Sequence, residues 1–329
     1  MNTCCDQVRR ARPLLGTLVE ISLAGRGENE LHEAATVAFT EIERMHVLMS
    51  AYSVTSDVYR VNNAPVGSTV PIDPHTWRVL DLANTISCAS NGVFDVTIGA
   101  AMMKYGGRPR SARGIPDSQA TFRDIELLPG NCVRLRRALA IDLGGIAKGY
   151  AVDIAVGALR KRGAHAGCVN AGGDVRVFGE AVQMVHVRDP LEPSMARAQV
   201  GLHECALATS AKYEKKHGYN ASGILLDPRK SDDVVSERSA SVRAPSCALA
   251  DALAKCVFML GQESATLLQH FKAEGFLIED ARVAAINTKK SVASESDECV
   301  LSNNADEFGE MFAKYERPAM TRSASGTVS

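Results

Sequence analysis

Ile141-Asp142-Leu143-Gly144-Gly145-Ile146-Ala147-Lys148-Gly149-Tyr150 is the stretch on which the reading of this chain turns. A strand ends at Asp142, two glycines let backbone approach a ligand, and a helix begins that should run to about Arg162-Gly163. Free N–H groups at such a helix start can bind phosphate. Lys148 can add a positive charge, and Asp142 can accept a hydrogen bond from a ribose or a base. The same ten residues also read as a plain strand–helix turn with a surface lysine, and spacing alone does not choose between the two.

Outward from this segment, helices and strands continue in both directions. Leu14 to Leu23 reads as a strand leading to a turn at Gly25 and Gly27. Glu30 to Met49 places Leu31, Ala34, Ala35, Ala38, Ile42, Met45 and Met49 on one helical face. A second helix is expected after Asp73-Pro74, capped near Asp73 or Thr76 and ending near Asn91-Gly92. Residues 106–118, rich in Gly, Arg, Pro and Ser, read as a mobile loop, and Cys132 to Ile141 as one or two strands. Downstream, strands dominate from about Ala166 to Ala208, with a turn at Asn170-Ala171-Gly172-Gly173-Asp174. Ser246 to Leu260 is a helix preceded by Pro245, capped by Ser246 and ended by Gly261. A further helix is expected at 262–272 and short strands near 276–279 and 282–286. From Lys289 the chain is polar and serine-rich, with a short helix at 305–315 and a disordered end. No internal repeat or clean linker is visible.

Composition excludes several function classes. With 37 basic and 38 acidic side chains the formal charge is −1, which gives no global pull toward nucleic acid or anionic membrane, so phosphate recognition has to be local. Aromatic residues make up 5% of the chain, too few for a base-stacking platform. No run reaches the roughly 18 apolar residues of a membrane span. The stretch after Arg9-Arg10 is broken by Pro13, Gly16 and Glu20 and lacks a signal-peptide core. The nine cysteines include no CxxC pair and read as reduced, mostly buried thiols of a cytoplasmic protein. Phosphate-loop, GxGxxG, HExxH and GxSxG patterns are all absent.

Three other segments carry polar chemistry. Asn91-Gly92-Val93-Phe94-Asp95-Val96-Thr97 is a glycine-led turn with an acid beside an aromatic. Met49-Ser50-Ala51-Tyr52, with Ser56-Asp57 and Asn62, is a polar cluster after a helix and reads in isolation as a capped helix connection. Between Cys247 and Leu260 only Asp251 and Lys255 are charged, and their i,i+4 spacing puts them on one face. Such a pair on an apolar helix reads either as a cleft-facing functional pair or as an internal ion pair.

Taken in order, these segments resemble the FAD:protein FMN transferase family, the ApbE type. The resemblance runs through Leu15-Gly16-Thr17, Met49-Ser50-Ala51-Tyr52, Ser56-Asp57 with Asn62, and Gly92-Val93-Phe94-Asp95. It continues through Asp142 to Tyr150, Asn170 to Asp174, Ala208-Thr209-Ser210, Leu225-Leu226-Asp227-Pro228 and Ala250-Asp251-Ala252-Leu253. It covers about residues 12–288, leaving 1–11 as an N-terminal extension and 289–329 as a polar C-terminal segment. It implies an α/β (α+β) fold, with mixed sheets flanked by helices around a FAD-binding cleft. It also implies transfer of FMN from FAD to a threonine or serine hydroxyl of an acceptor flavoprotein, with release of AMP and with magnesium bound.

Carried over by position, the resemblance puts FAD contacts on Leu15, Tyr52, Val93, Phe94, Asp95, Asp142, Lys148 and Leu225. It puts the metal on Asp251 and the Gly145 carbonyl, and catalysis on Lys148 and Asp251. Two positions depart from the family pattern. Lys255 stands where the family usually has a metal-ligating threonine; an ammonium repels a cation and attracts Asp251, by roughly 4 kcal/mol at 4 Å and an effective dielectric near 20. Ile224 stands where the family has a histidine suited to taking the hydroxyl proton. His217 is a possible substitute base. A FAD- or adenine-nucleotide-binding chain without transfer, and a FAD pyrophosphatase, are the alternative readings. The expected setting is the cytoplasm, with no nucleic-acid or membrane partner.

Overall fold

A computed structural model describes residues 6–25, 27–104, 116–117, 119–212, 224–230, 232–234 and 236–287. Residues 106–115 and 118 of the expected loop, His217 and everything from 288 onward, the expected helix at 305–315 included, lie outside these residues. In chain order the elements begin with β1 (Asp6–Leu14), β2 (Thr17–Gly25), α1 (Glu28–Met49), α2 (Asp57–Asn62), β3 (Thr69–Pro71), α3 (Pro74–Ala89) and α4 (Gly99–Lys104). Then come β4 (Ile125–Leu128), β5 (Cys132–Leu135), α5 (Ala147–Lys161), β6 (Ala166–Ala171), β7 (Asp174–Phe178), β8 (Gln183–Arg188) and β9 (Ala196–Leu202). The rest are β10 (Ala206–Ala211), β11 (Leu226–Asp227), β12 (Asp232–Asp233), β13 (Ser239–Ala244), α6 (Cys247–Leu260), α7 (Ala265–His270), β14 (Glu274–Glu279) and β15 (Arg282–Ala285).

Eight strands make the main sheet, in the order β1-β2-β6-β7-β10-β13-β14-β15, and every neighbour is antiparallel. The segments omitted from that order are insertions: β3-β5-β4 form a small sheet, and β8–β9 and β11–β12 form two-stranded ones. The architecture is thus mixed α/β, as expected; among the described residues all four sheets pair antiparallel, and the one parallel contact is the isolated bridge between Ile98 and Ala140.

Alternation along β7 explains the layering. Val175 and Val177 point to one face, where they join Val187, Leu202, Leu207 and Ile278 in a small core under the β8–β9 hairpin. Asp174, Arg176 and Phe178 point to the other face, toward the helices; Phe178 enters the main core, and Arg176 pairs with Asp153 of α5. α1 buries Leu31, Ala34, Ala35, Ala38, Phe39, Ile42, Met45 and Met49 in that core, the stripe its spacing predicts plus one phenylalanine. α6 is buried nearly all round, from Cys247 to Ala254 and from Cys256 to Phe258, which is why it reads as apolar on every face but one.

Two tight turns set the register. The single strand expected over Leu14–Leu23 is the junction of two strands, because Leu15 and Gly16 both take positive φ (56° and 73°) and form a two-residue hairpin loop. β1 begins at Asp6, so residues 6–11 lie in the sheet. The second turn, Gly172-Gly173, also has both φ values positive and joins β6 to β7 in the same way. The two loops abut: a Cβ on Gly172 would sit against Thr17, 3.0 Å from its Cβ. α5 and α6 begin and end close to expectation, whereas 262–272 divides into a 3-10 turn at Gly261–Ser264 and α7.

Candidate functional site

The site is built where α5 crosses α6. Gly149 makes the crossing possible: a Cβ there would press on the Cys247 carbonyl oxygen and lie 2.6 Å from its carbon and 2.8 Å from the Ala248 nitrogen. One turn further along α5, the buried Asp153 accepts hydrogen bonds from the N–H groups of Cys247 and Ala248, each at 2.9 Å, and so caps α6 from a different helix. Ser246 adds the expected local cap, accepting from the Leu249 N–H at 3.3 Å.

This crossing brings Lys148 and Asp251 together. Lys148 Nζ lies 3.5 Å from Asp251 Oδ2, which also accepts the Gly149 N–H at 3.2 Å. Lys148 pairs more closely with Asp174, placed at the first position of β7 by the Gly172-Gly173 turn. Lys255 donates to Asp251 Oδ1, and to the Asp251 carbonyl oxygen at 2.9 Å. The result is a four-charge cluster of two ammonium groups and two carboxylates. The Asp251 and Asp174 side chains are almost wholly buried, whereas Lys148 is 34% and Lys255 21% exposed. The open side of the cluster is therefore its positive side.

Burial works against charge on all of these groups, and the pairing decides which way each one moves. For Asp251 burial is outweighed by the Lys148 and Lys255 charges, and its carboxyl is held below the usual carboxylate range. For Asp174 burial and repulsion from Asp251 win over Lys148, and its carboxyl is pushed up. For Lys148 burial favours the neutral amine, but the Asp174 and Asp251 charges overcome it and hold the ammonium protonated well above the ordinary lysine range.

The remaining predicted residues fall in three groups. Gly145 and Phe94 adjoin the cluster: a Cβ on Gly145 would lie 3.2 Å from Lys255 Cδ, Lys255 Cε and the Phe94 ring. Val93 and Phe94 are buried. Asp95 and Asp142 are buried and hold backbone. Asp95 accepts from the Thr97 N–H and hydroxyl, both at 2.8 Å, and from the Phe122 N–H at 3.0 Å; burial raises its pKa against these bonds. Asp142 accepts from the Gly144 N–H at 2.7 Å, fixing the glycine pair, while its own N–H donates to the Val96 carbonyl at 2.7 Å. The expected strand ending at Asp142 is not formed: β5 stops at Leu135 and only an isolated bridge at Ala140 precedes this segment, which Asn62 holds instead, donating to the Ile141 carbonyl at 2.9 Å and accepting its N–H at 2.7 Å.

Leu15, Tyr52 and Leu225 sit on other segments, and their backbone N–H groups donate to His46, Ser50 and Asp233 rather than to the charged cluster. Leu15 occupies the left-handed region, an uncommon place for a bulky residue. Tyr52 is 62% exposed. Two contributors were given no site role from sequence. Asp174 closes the Asn170–Asp174 turn, whose glycine pair was the available signal. Asp153, 94 residues before the N–H it caps, carries no local signal.

The donor set does not fit a divalent metal. Magnesium on a nucleotide commonly takes one or two carboxylates plus phosphate oxygens. Both oxygens of Asp251 are engaged, by Lys255 on one side and by Lys148 and the Gly149 N–H on the other. Among the described residues, no group of three or more His, Cys, Asp or Glu side chains is gathered that could hold an ion.

Known proteins share this architecture. The ApbE family model matches residues 15–277. A FAD:protein FMN transferase of Rhodobacter capsulatus is 28% identical over 268 residues, covering 76% of this chain; the chain spans only 51% of that relative's length. A FAD:protein FMN transferase of Treponema pallidum (strain Nichols) is 28% identical over 312 residues, covering 84% of this chain and 86% of the relative. Among solved structures, the apo form of Pseudomonas stutzeri flavinyl transferase ApbE superposes with a TM-score of 0.72 at 20% identity, covering 88% and 97% of the two chains. The ApbE protein of Thermotoga maritima does so with 0.73 at 24%, covering 86% and 98%. With its eight-stranded antiparallel sheet, its crossed helices and a match over residues 15–277, the chain belongs to the ApbE family.

Proposed function

We propose that this chain is a flavin transferase that moves FMN from FAD to a threonine or serine hydroxyl of an acceptor protein and releases AMP. The observation that carries the reading is the Lys148–Asp174–Asp251–Lys255 cluster, buried on its acidic side and open on its basic side, in a chain of the ApbE family. A pyrophosphate gains from cations held in place before it arrives, since the protein need not reorganise during the reaction. Here the carboxylates fix the two ammonium groups, and Asp142 holds the glycine pair that leads into α5 beside them.

In the proposed reaction the acceptor hydroxyl oxygen attacks the phosphorus on the FMN side of the pyrophosphate. A phosphoester bond forms, the hydroxyl proton is lost, the phosphoanhydride bond breaks, and AMP leaves with the bridging oxygen. Lys148 and Lys255 would bind and orient the phosphates and balance the charge that builds on the leaving phosphate. Val93, Phe94, Tyr52, Leu15 and Leu225 are the proposed contacts for the rest of FAD. We place the reaction in the cytoplasm, where the free thiols of Cys88, Cys132, Cys168, Cys205, Cys247 and Cys256 would persist. No helix among the described residues is long and apolar enough to cross a membrane.

The test is incubation of the purified chain with FAD and candidate acceptor flavoproteins, following AMP by chromatography and covalent flavin by in-gel fluorescence. Equal amounts of AMP and labelled acceptor are expected. AMP without labelled acceptor would mean water is the acceptor, and neither product would remove the reading.

A further inference from the structure

We propose that the Lys255 ammonium is the resident cation of this site, filling the place between Asp251 and Gly145 so that the pyrophosphate of FAD is bound without a divalent metal. The inference rests on the functional reading above for the identity of the ligand. Its geometry is independent of that reading.

Three observations converge on it. The Lys255 stem runs over Gly145, near enough for a Cβ there to lie 3.2 Å from its Cδ and Cε. Its Nζ then reaches Asp251, bonding Oδ1 and, at 2.9 Å, the main-chain oxygen. Asp251 and Gly145 are the two residues nominated above to hold a metal, and the lysine passes between them. The second observation is charge. With Lys255 in place the cluster has two cations and two anions. With a neutral residue there, the buried Asp174 and Asp251 would share one ammonium and leave an excess negative charge, the condition that draws in a metal ion. The third is access. Lys255 keeps 21% of its side chain exposed, and with two of its three N–H donors on Asp251 one is left for a phosphate oxygen.

The test uses the full chain and two variants. Lys255→Thr replaces the ammonium with an oxygen donor, and Lys255→Met keeps the stem without charge or donor. Manganese is titrated into metal-stripped protein and followed by electron paramagnetic resonance, with no flavin present. FAD affinity is then measured by calorimetry with chelator and with magnesium. We expect the wild type to hold no manganese and to bind FAD equally well with chelator or magnesium. Lys255→Thr should bind about one manganese per chain and lose roughly tenfold or more of its FAD affinity in chelator, recovered with magnesium. Lys255→Met, which supplies no donor, should lose the affinity with less recovery. Stoichiometric manganese binding by the wild type, or wild-type FAD affinity that needs magnesium, overturns the proposal. If no variant binds FAD under any condition, the functional reading fails, and the manganese titration alone then decides the role of Lys255.

Discussion

Gly149→Ala is the sharpest probe of how the site is assembled. The added methyl would press on the Cys247 carbonyl and lie 2.6 Å from its carbon, against about 3.5 Å for ordinary carbon contacts, so α5 and α6 would have to separate by roughly 0.9 Å. Overpacking of this kind costs about 1–3 kcal/mol. The same separation lengthens the Gly149–Asp251 bond of 3.2 Å and the two 2.9 Å Asp153 bonds, and weakened bonds to buried carboxylates add about 1–2 kcal/mol. Alanine returns about 1 kcal/mol through helix propensity. The net expectation is a loss of about 1–4 kcal/mol, read as a fall in the urea midpoint with an unchanged slope. Gly157→Ala, in the same helix, is the matched control: its Cβ would meet nothing within 4 Å, so it should stabilise by about 1 kcal/mol or less. If Gly149→Ala also stabilised, the close crossing would be wrong.

Other perturbations follow from the same geometry. Asp153→Ala strands Arg176 and uncaps α6 inside the core; about 3–5 kcal/mol of stability should go, and a loss under about 1 kcal/mol in chemical denaturation would contradict the cross-helix cap. Asn62→Ala leaves both the N–H and the carbonyl of Ile141 without their partner; it should cost about 2 kcal/mol, with Asn62→Asp, which keeps the acceptor, costing less. For His75, whose Nδ1 lies 2.9 Å from the Tyr150 hydroxyl, burial lowers the pKa from 6.5 despite the opposing pull of Asp73. The unfolded chain therefore takes up that proton first. This part of the stability is complete above about pH 6.5 and is lost as pH falls toward the lowered folded value. Unfolding midpoints measured across that range should slope downward on acidification, and His75→Gln should flatten the slope.

Local signals and long-range pairings fared differently in the sequence. The α1 stripe, the Asp73 and Ser246 caps and the helix after Gly145 were legible because each is a matter of spacing within a few residues. Asp251 and Lys255 stood out as lone charges on an apolar helix, and the structure makes them an ion pair. The β1–β2 hairpin was hidden because its turn begins with leucine, which carries no turn signal, while Arg9, Arg10 and Arg12 disguised an edge strand. Asp142 and Asp95 read as ligand contacts from their family motifs, and in the structure both accept backbone N–H bonds that brace the loops around the cluster. That Asp174 stands beside Lys148, 26 residues away, depends on sheet pairing that no local period encodes.

In the proposed function this cluster handles FAD during transfer of FMN to a protein hydroxyl. The most direct measurement is intact-mass analysis of an acceptor flavoprotein co-expressed with this chain, in parallel with the Lys148→Met variant. One covalently attached FMN per acceptor is expected with the wild type and none with the variant. An acceptor left unmodified by the wild type across the flavoproteins of its own genome, or modified equally by both forms, would contradict it.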